Sequence, residues 1–186
     1  KDQCLDLPPK IYMFRDVHLN LEQKKIYETL RKKARAIIAD DTVSFANKLV
    51  EILRLHQICN GFLKTDTGQL HIFKNNPKLK ELLRILEEVD GKCIIWATYV
   101  HNIESIKQTL GDLYGKDSVV SIYGKDSVED RKLAVASFQH NDRCRFLVGN
   151  PSTGGYGLTL TAARNVIYFS NSYNLEVRKQ SEDRAH

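Results

Sequence analysis

The stretch GNPSTGGYGLTLTAARNVIYFS, residues 149–170, sets Gly154, Gly155 and Gly157 between the apolar runs FLV and VIYF. Glycines in such a loop let a backbone come close to a phosphate, because no Cβ stands in the way. Ser152 and Thr153 head the loop and bring hydroxyl donors. The same residues also suit a plain turn between two buried strands, so the loop alone leaves both readings open. Further on, Gln180 and Arg184 stand four apart, hence on one face of a helix. An arginine on a helix can reach a γ-phosphate held by another domain and stabilise transition-state charge there. The plainer alternative is a surface ion pair with Glu182 or Asp183.

A complete nucleotide site is not encoded. A Walker loop needs GxxxxGK[ST], so that backbone amides wrap the phosphates and the lysine neutralises them. In YGKDS, residues 123–127, Gly124 and Lys125 are adjacent, but the earlier glycine is absent and Asp126 stands where Ser or Thr is required. The chain alone is therefore expected to be inactive as a P-loop ATPase. The six histidines are dispersed: His56 reads as a helix residue near the core and His101 as a helix-start residue. Cys4, Cys59, Cys93 and Cys144 are scattered, without a CxxC or Cys/His group. No metal site and no disulfide are expected. Tyr99 and Tyr156 follow strand ends and either stack on bases or pack at the core edge.

The elements that must position these residues follow from periodicity. From Lys92 onward, apolar runs alternate with helical patterns: KCIIWAT, SVVSIY, RFLVGN and NVIYFS as strands, with NIESIKQTLGDLY and SVEDRKLAVASF as helices between them and NLEVRKQSEDRAH after the last. That order predicts an α/β fold with a parallel sheet flanked by helices. Ligands in such sheets bind beyond the strands' carboxyl ends, so Thr98, Tyr123–Asp126 and Asn150–Gly157 are expected on one edge. The pentapeptide YGKDS occurs twice, at 114–118 and 123–127; the first copy should end a helix and the second a strand, which makes the repeat a coincidence.

Upstream, LPPKIYMFRDVHL reads as a leading strand. Asn20 and Gln23 form a capping-box pattern before a helix whose Ile26, Tyr27, Leu30, Ala34 and Ile37 share a face. Its Lys24, Arg31 and Arg35 line another face, beside Lys25 and Lys32; this is either a solvated face or a nucleic-acid contact. A second helix ends at Gly61, a hairpin turns at Asp66–Gly68, and Pro77 opens a third helix with Leu79, Leu82, Leu83 and Leu86 inward. Three segments result: a leading strand within 1–19, a helical insertion with a small hairpin at 20–76, and the α/β lobe at 77–186. Net charge is +5 over 186 residues, and residues 1–38 hold nine Lys/Arg against five Asp/Glu. That bias suits a polyanionic partner. No apolar run approaches the roughly 20 residues of a membrane span, and no signal core opens the chain. Neither secretion nor membrane insertion is indicated, and a reducing cytoplasm is the expected compartment.

Taken together, the segments LRLHQICNG, NPKLKELLRILEE, KCIIWATYVHNIESI, YGKDSVEDRKLAVASFQ and NPSTGGYGLTLTAARNVIYFSNSYNLEVRKQSEDRAH resemble the C-terminal RecA-like lobe of Swi/Snf-like superfamily-two helicases. The likeness covers about residues 45–186, in motif order IV, V and the first half of VI. It implies a DNA-dependent ATPase, cytoplasmic in a bacterium or a phage-infected host. ATP and Mg2+ would sit mainly on an N-terminal RecA-like lobe that this chain does not contain. Duplex DNA is the implied track. On this resemblance Gln180 and Arg184 are the glutamine and first arginine of motif VI, and the motif's second arginine would follow His186, so the parent is expected to continue. Gly155, Gly157 and Thr159 map to the nucleotide-coupling part of motif V. Thr98, Gly124, Lys125, Ser152 and Thr153 map to the DNA side. Pro151, Ser152 and Thr159 depart from the commoner STRAGGLGIN pattern, as do Tyr123 and Lys125 from the usual Asp and Ser. Those departures keep open an alternative: a non-catalytic nucleic-acid or protein-binding module on a degenerate helicase-lobe fold.

Overall fold

The structure, a computed structural model, describes residues 10–40, 42, 44–153 and 160–182. The chain forms two compact units, one of Phe14–Ile85 and one of Lys1–Met13 with Leu86–His186.

The smaller unit is built on two helices, α1 (Leu21–Ala39) and α2 (Phe45–Cys59), which pack on each other, and on a hairpin of β1 (Phe62–Lys64) and β2 (Leu70–Ile72). The capping box at the start of α1 forms as its sequence requires: Asn20 Oδ1 accepts from the Gln23 N–H at 2.8 Å, and Gln23 Oε1 accepts from the Asn20 N–H at 3.3 Å. Gln23 then does something that local sequence does not announce. It is fully buried, and its Nε2 donates to the Ile58 carbonyl in the last turn of α2 at 2.8 Å. One side chain thus satisfies an orphan donor of α1 and ties it to the end of α2, where the Ile58 carbonyl also accepts from the Gly61 N–H at 3.0 Å. Helix α3 (Pro77–Glu88) follows, opening on proline as expected, with Leu82 and Leu86 buried.

The larger unit holds a four-stranded sheet in the order β4-β5-β3-β6, parallel throughout, from β3 (Lys92–Trp96), β4 (Val119–Ile122), β5 (Phe146–Gly149) and β6 (Ala163–Tyr168). Helices α4 (Val100–Tyr114) and α5 (Val128–His140) make the crossovers, and α6 (Leu175–Glu182) follows β6. The continuous apolar runs are buried as a sheet covered on both faces demands: Cys93 through Ala97 and Phe146 through Val148 are fully enclosed. Burial pushes the Cys93 thiol up to about 12, which keeps it neutral and inert. The two YGKDS copies separate as expected, α4 ending at Tyr114 and β4 at Ile122. The leading strand did not form among residues 10–20, which adopt neither helix nor strand. Ile11, Tyr12, Met13 and Phe14 are exposed there, and among the described residues no strand pairs with their backbone. Among the described residues no helix is long and apolar enough to cross a membrane.

At the amino-terminal end of the sheet two cations close helix C-termini. Lys92 Nζ donates to the carbonyls of Phe138 and Asn141 at 2.5 and 2.8 Å, at the end of α5. The Arg145 guanidinium donates to Leu86, Val89 and Gly91 carbonyls at 2.8, 2.6 and 3.2 Å, at the end of α3. Each meets the negative pole of a helix with a positive charge.

At the other end, β5 and β4 lie so close that Gly149 has no room for a side chain. A Cβ there would stand 2.8 Å from the Ile122 carbonyl oxygen and 3.1 Å from the Trp96 ring. The first contact is with backbone and cannot yield cheaply. Gly149→Ala is therefore expected to lower stability by about 1–3 kcal/mol, read as a fall in the urea midpoint without a change in slope. Gln23→Leu takes the acceptor from the Asn20 amide and the side-chain donor from the Ile58 carbonyl, which keeps its bond from the Gly61 N–H, and should cost about 1–3 kcal/mol; a midpoint equal to the parent's would show that the Gln23 bonds contribute nothing.

Candidate functional site

A parallel sheet delivers all its strand ends to one edge, where the last amides and carbonyls leave the ladder and need other partners. Here side chains from adjacent strand ends supply them. Asn150 follows β5 directly. Its Nδ2 donates to the Thr98 carbonyl beyond β3 at 3.0 Å, and its N–H donates to the Ile122 carbonyl of β4 at 3.1 Å. Its Oδ1 accepts from the Ser152 N–H at 2.9 Å and its carbonyl from the Thr153 N–H at 3.0 Å. One asparagine thus joins three strand ends and shapes the turn 151–153. On the other flank Ser170, past β6, accepts at Oγ from the Thr98 N–H at 2.8 Å, and the Thr98 hydroxyl donates to the Ser170 carbonyl at 3.4 Å.

The turn between β4 and α5 forms the second wall. Asp126 Oδ2 accepts from the Tyr123 N–H at 2.7 Å, and the Asp126 N–H returns to the Tyr123 carbonyl at 3.1 Å. Ser127 and Asp130 then close the capping box of α5, as their spacing predicts. This fold-back leaves Gly124 and Lys125 exposed at the tip. Lys125 makes no ion pair among the described residues. A Cβ on Gly124 would meet nothing within 4 Å, so neighbouring atoms do not demand a glycine there. Behind the turn the Tyr123 hydroxyl donates to Glu104 Oε1 at 3.3 Å. Burial, then the Glu104 carboxylate beside it, raises the Tyr123 phenol above its ordinary range. Burial lowers the His101 imidazole, with Glu104 opposing.

Thr98, Gly124, Lys125, Ser152 and Thr153 thus come to one edge, held by Asn150. Ser152 is exposed and Thr153 half-buried, and neither hydroxyl has a protein partner among the described residues. The Thr98 hydroxyl spends its proton on Ser170, so it must rotate before it can donate elsewhere. Gln180 lies exposed on α6, its Nε2 donating to Glu176 Oε1 at 3.0 Å. Helix α6 is pinned to β6 through Arg178, whose guanidinium stacks 3.3 Å from the Tyr168 ring centroid and donates to Glu182 Oε1 and Asn171 Oδ1 at 2.6 and 2.5 Å. The Tyr168 hydroxyl meets Ser181 Oγ at 2.5 Å. Gly155, Gly157, Thr159 and Arg184 lie outside the described residues. Among the described residues no group of three or more His, Cys, Asp or Glu is placed to hold a metal ion.

Sequence reasoning placed Asn150 on this edge without giving it the bracing role, and it did not single out Ser170 or Arg178. The first two had a usable signal: each is the polar residue that follows a buried strand at its carboxyl end. Arg178 had none, since its stacking on Tyr168 depends on how α6 turns back on the sheet.

Comparison with known proteins places the chain in a family. The model of the helicase conserved C-terminal domain matches residues 75–186. An uncharacterised ATP-dependent helicase of Mycoplasma genitalium, MG018, is 29% identical over 97% of this chain, which spans only 18% of that relative's length. Among solved structures, the C-terminal part of the Fun30 ATPase domain superposes with a TM-score of 0.74 at 20% identity, over 97% of this chain and 81% of that one. A Sulfolobus solfataricus SWI2/SNF2 ATPase core in complex with double-stranded DNA superposes with a TM-score of 0.69 at 24% identity, over 83% of this chain and 34% of that one. The chain belongs to the helicase conserved C-terminal domain family, with the RecA-like fold of the Swi2/Snf2 ATPase C-terminal lobe.

Proposed function

We propose that this chain is the second lobe of an ATP-dependent, DNA-stimulated translocase, supplying motifs IV, V and part of VI to a cleft and track shared with an N-terminal RecA-like lobe. One observation carries the reading. Gly124, Lys125, Ser152 and Thr153 stand on a hydrogen-bonded frame at the carboxyl edge, where Asn150 fixes three strand ends relative to one another. Such an edge offers one free ammonium and two free hydroxyls to phosphates. The Sulfolobus neighbour was solved with double-stranded DNA, and this chain's own DNA side is taken as the same edge. Residues 77–186 are read as the lobe and 20–76 as a helical insertion.

The residues present fit a partial nucleotide contact and not a whole site. The chain has no GxxxxGK[ST] segment, and its described residues hold no metal cluster. ATP with Mg2+, held mainly by the other lobe, would supply the phosphoanhydride whose cleavage drives the cycle. Toward it, this chain would present Gly155, Gly157 and Thr159, with Gln180 orienting polar groups and Arg184 stabilising charge on the transferred phosphoryl group. Of the two carboxylates in the competing ion-pair reading for Arg184, Asp183 lies outside the described residues and Glu182 already has partners. Both Glu182 oxygens are engaged, Oε1 by Arg178 at 2.6 Å and Oε2 by Tyr12 at 3.3 Å. Lys125 and the Ser152 and Thr153 hydroxyls would grip the DNA backbone without reading sequence.

The deciding experiment is ATP hydrolysis by the parent protein, with and without duplex DNA, beside this 186-residue chain. Strong DNA stimulation in the parent and none in the chain is expected. Salt-sensitive DNA binding with no hydrolysis in the parent would instead establish a non-catalytic binding module. Two substitutions separate the roles. Arg184→Ala in the parent should cut turnover by on the order of 10³-fold, as loss of an arginine finger does, with DNA affinity nearly kept. Lys125→Ala should leave basal ATP hydrolysis in place and flatten the log–log dependence of DNA affinity on salt by about 0.9, one phosphate contact.

A further inference from the structure

The charge of this chain is concentrated in the smaller unit. Phe14–Ile85 holds fourteen Lys/Arg against eight Asp/Glu, whereas the rest of the chain holds fourteen against fifteen. Within the smaller unit, α1 alone has six cations and two carboxylates. At 3.6 residues per turn, Lys24, Lys25, Lys32 and Arg35 fall within an arc of roughly 100°. That arc faces away from buried Gln23 and Ala34, on the side of the helix that packs on α2. All four cations are exposed, and among the described residues none makes an ion pair.

Their neighbours are already engaged. Arg31 holds Glu28 at 2.9 Å and Lys33 reaches Glu51 at 3.4 Å. Glu22 meets His71 at 3.2 Å. Glu28 stands inside the cationic arc, but Arg31 occupies it, so no free carboxylate of α1 competes for the four cations. From Lys24 to Arg35 the ladder runs roughly 16 Å along the helix.

We propose that this outer face of α1 is a second nucleic-acid contact, which grips the phosphate backbone of duplex DNA without reading sequence. A repeating line of like charge matches a repeating polyanion. The arc contains no aromatic side chain, so it offers nothing on which the bases of a single strand would stack. The helix cannot lie in a lipid surface by its apolar side, because that side packs on α2. The contact uses none of the sheet-edge residues and stands independently of the translocase reading.

The test is anisotropy of a labelled mixed-sequence duplex of about 30 base pairs, bound by the 186-residue chain over a salt series. The parent sequence is compared with a variant combining Lys24→Gln, Lys25→Gln, Lys32→Gln and Arg35→Gln. The variant should lose about tenfold or more in affinity at low salt, and its log–log salt slope should flatten by about 2–4, near 0.9 per contact. Its melting temperature should match the parent's, since the four side chains have no partner to lose. Equal affinity and slope in the two proteins would overturn the proposal. So would binding of poly-glutamate as tight as that of DNA and lost with the same four changes, which would mark a surface for an acidic protein. Lys125→Ala, run alongside, keeps the two readings apart: if it flattens the slope and the α1 variant does not, only the α1 proposal falls.

Discussion

The carboxyl edge of the sheet depends on a single asparagine, through its side chain and its backbone together. Where β3, β4 and β5 end, their backbone groups lose the ladder, and Asn150 takes up the Thr98 carbonyl, the Ile122 carbonyl and the Ser152 and Thr153 amides together. The residue before it, Gly149, makes that reach possible by letting β5 approach β4 and Trp96 without a side chain between them. Packing of strands and geometry of the edge are thus one problem. The turn at 151–153 starts from a fixed point.

The two ends of the sheet divide their tasks. At the amino end Lys92 and Arg145 turn their charge onto helix C-termini, where it is consumed in holding α5 and α3. At the carboxyl end Lys125 is exposed and without an ion pair among the described residues, on a turn braced by Asp126 and Ser127. The same residue type is structural at one end and available at the other, and what decides is which pole of a helix lies nearby: Lys92 meets the C-terminus of α5, whereas Lys125 precedes its N-terminus. Composition cannot make that distinction.

Much of the fold was legible because its signals are local. The capping boxes at Asn20/Gln23 and Ser127/Asp130, the proline opening α3 and the buried strand runs all formed where their spacing required. The gathering of Thr98, Lys125 and Ser152 on one edge was legible too, since parallel topology leaves no other place for strand ends. What escaped was long-range. The Gln23 bond to Ile58 spans 35 residues and the Thr98 bond to Ser170 spans 72, so neither leaves a trace in a window of sequence. The missing leading strand failed for the same reason in reverse: β propensity in KIYMF is real, but a strand exists only if another strand receives it.

The departures Pro151 and Ser152 from the commoner pattern bear on how the edge is to be understood. Pro151 has no N–H, and the turn does not ask it for one: the Asn150 side chain and carbonyl accept from residues 152 and 153 instead. A proline at that position stiffens the start of the loop without costing a hydrogen bond. Ser152 shortens a side chain at an exposed position, while Lys125 on the neighbouring turn is an exposed cation with no ion pair among the described residues. On the translocase reading proposed above, the cation of this edge would come from the β4–α5 turn, where Lys125 is exposed.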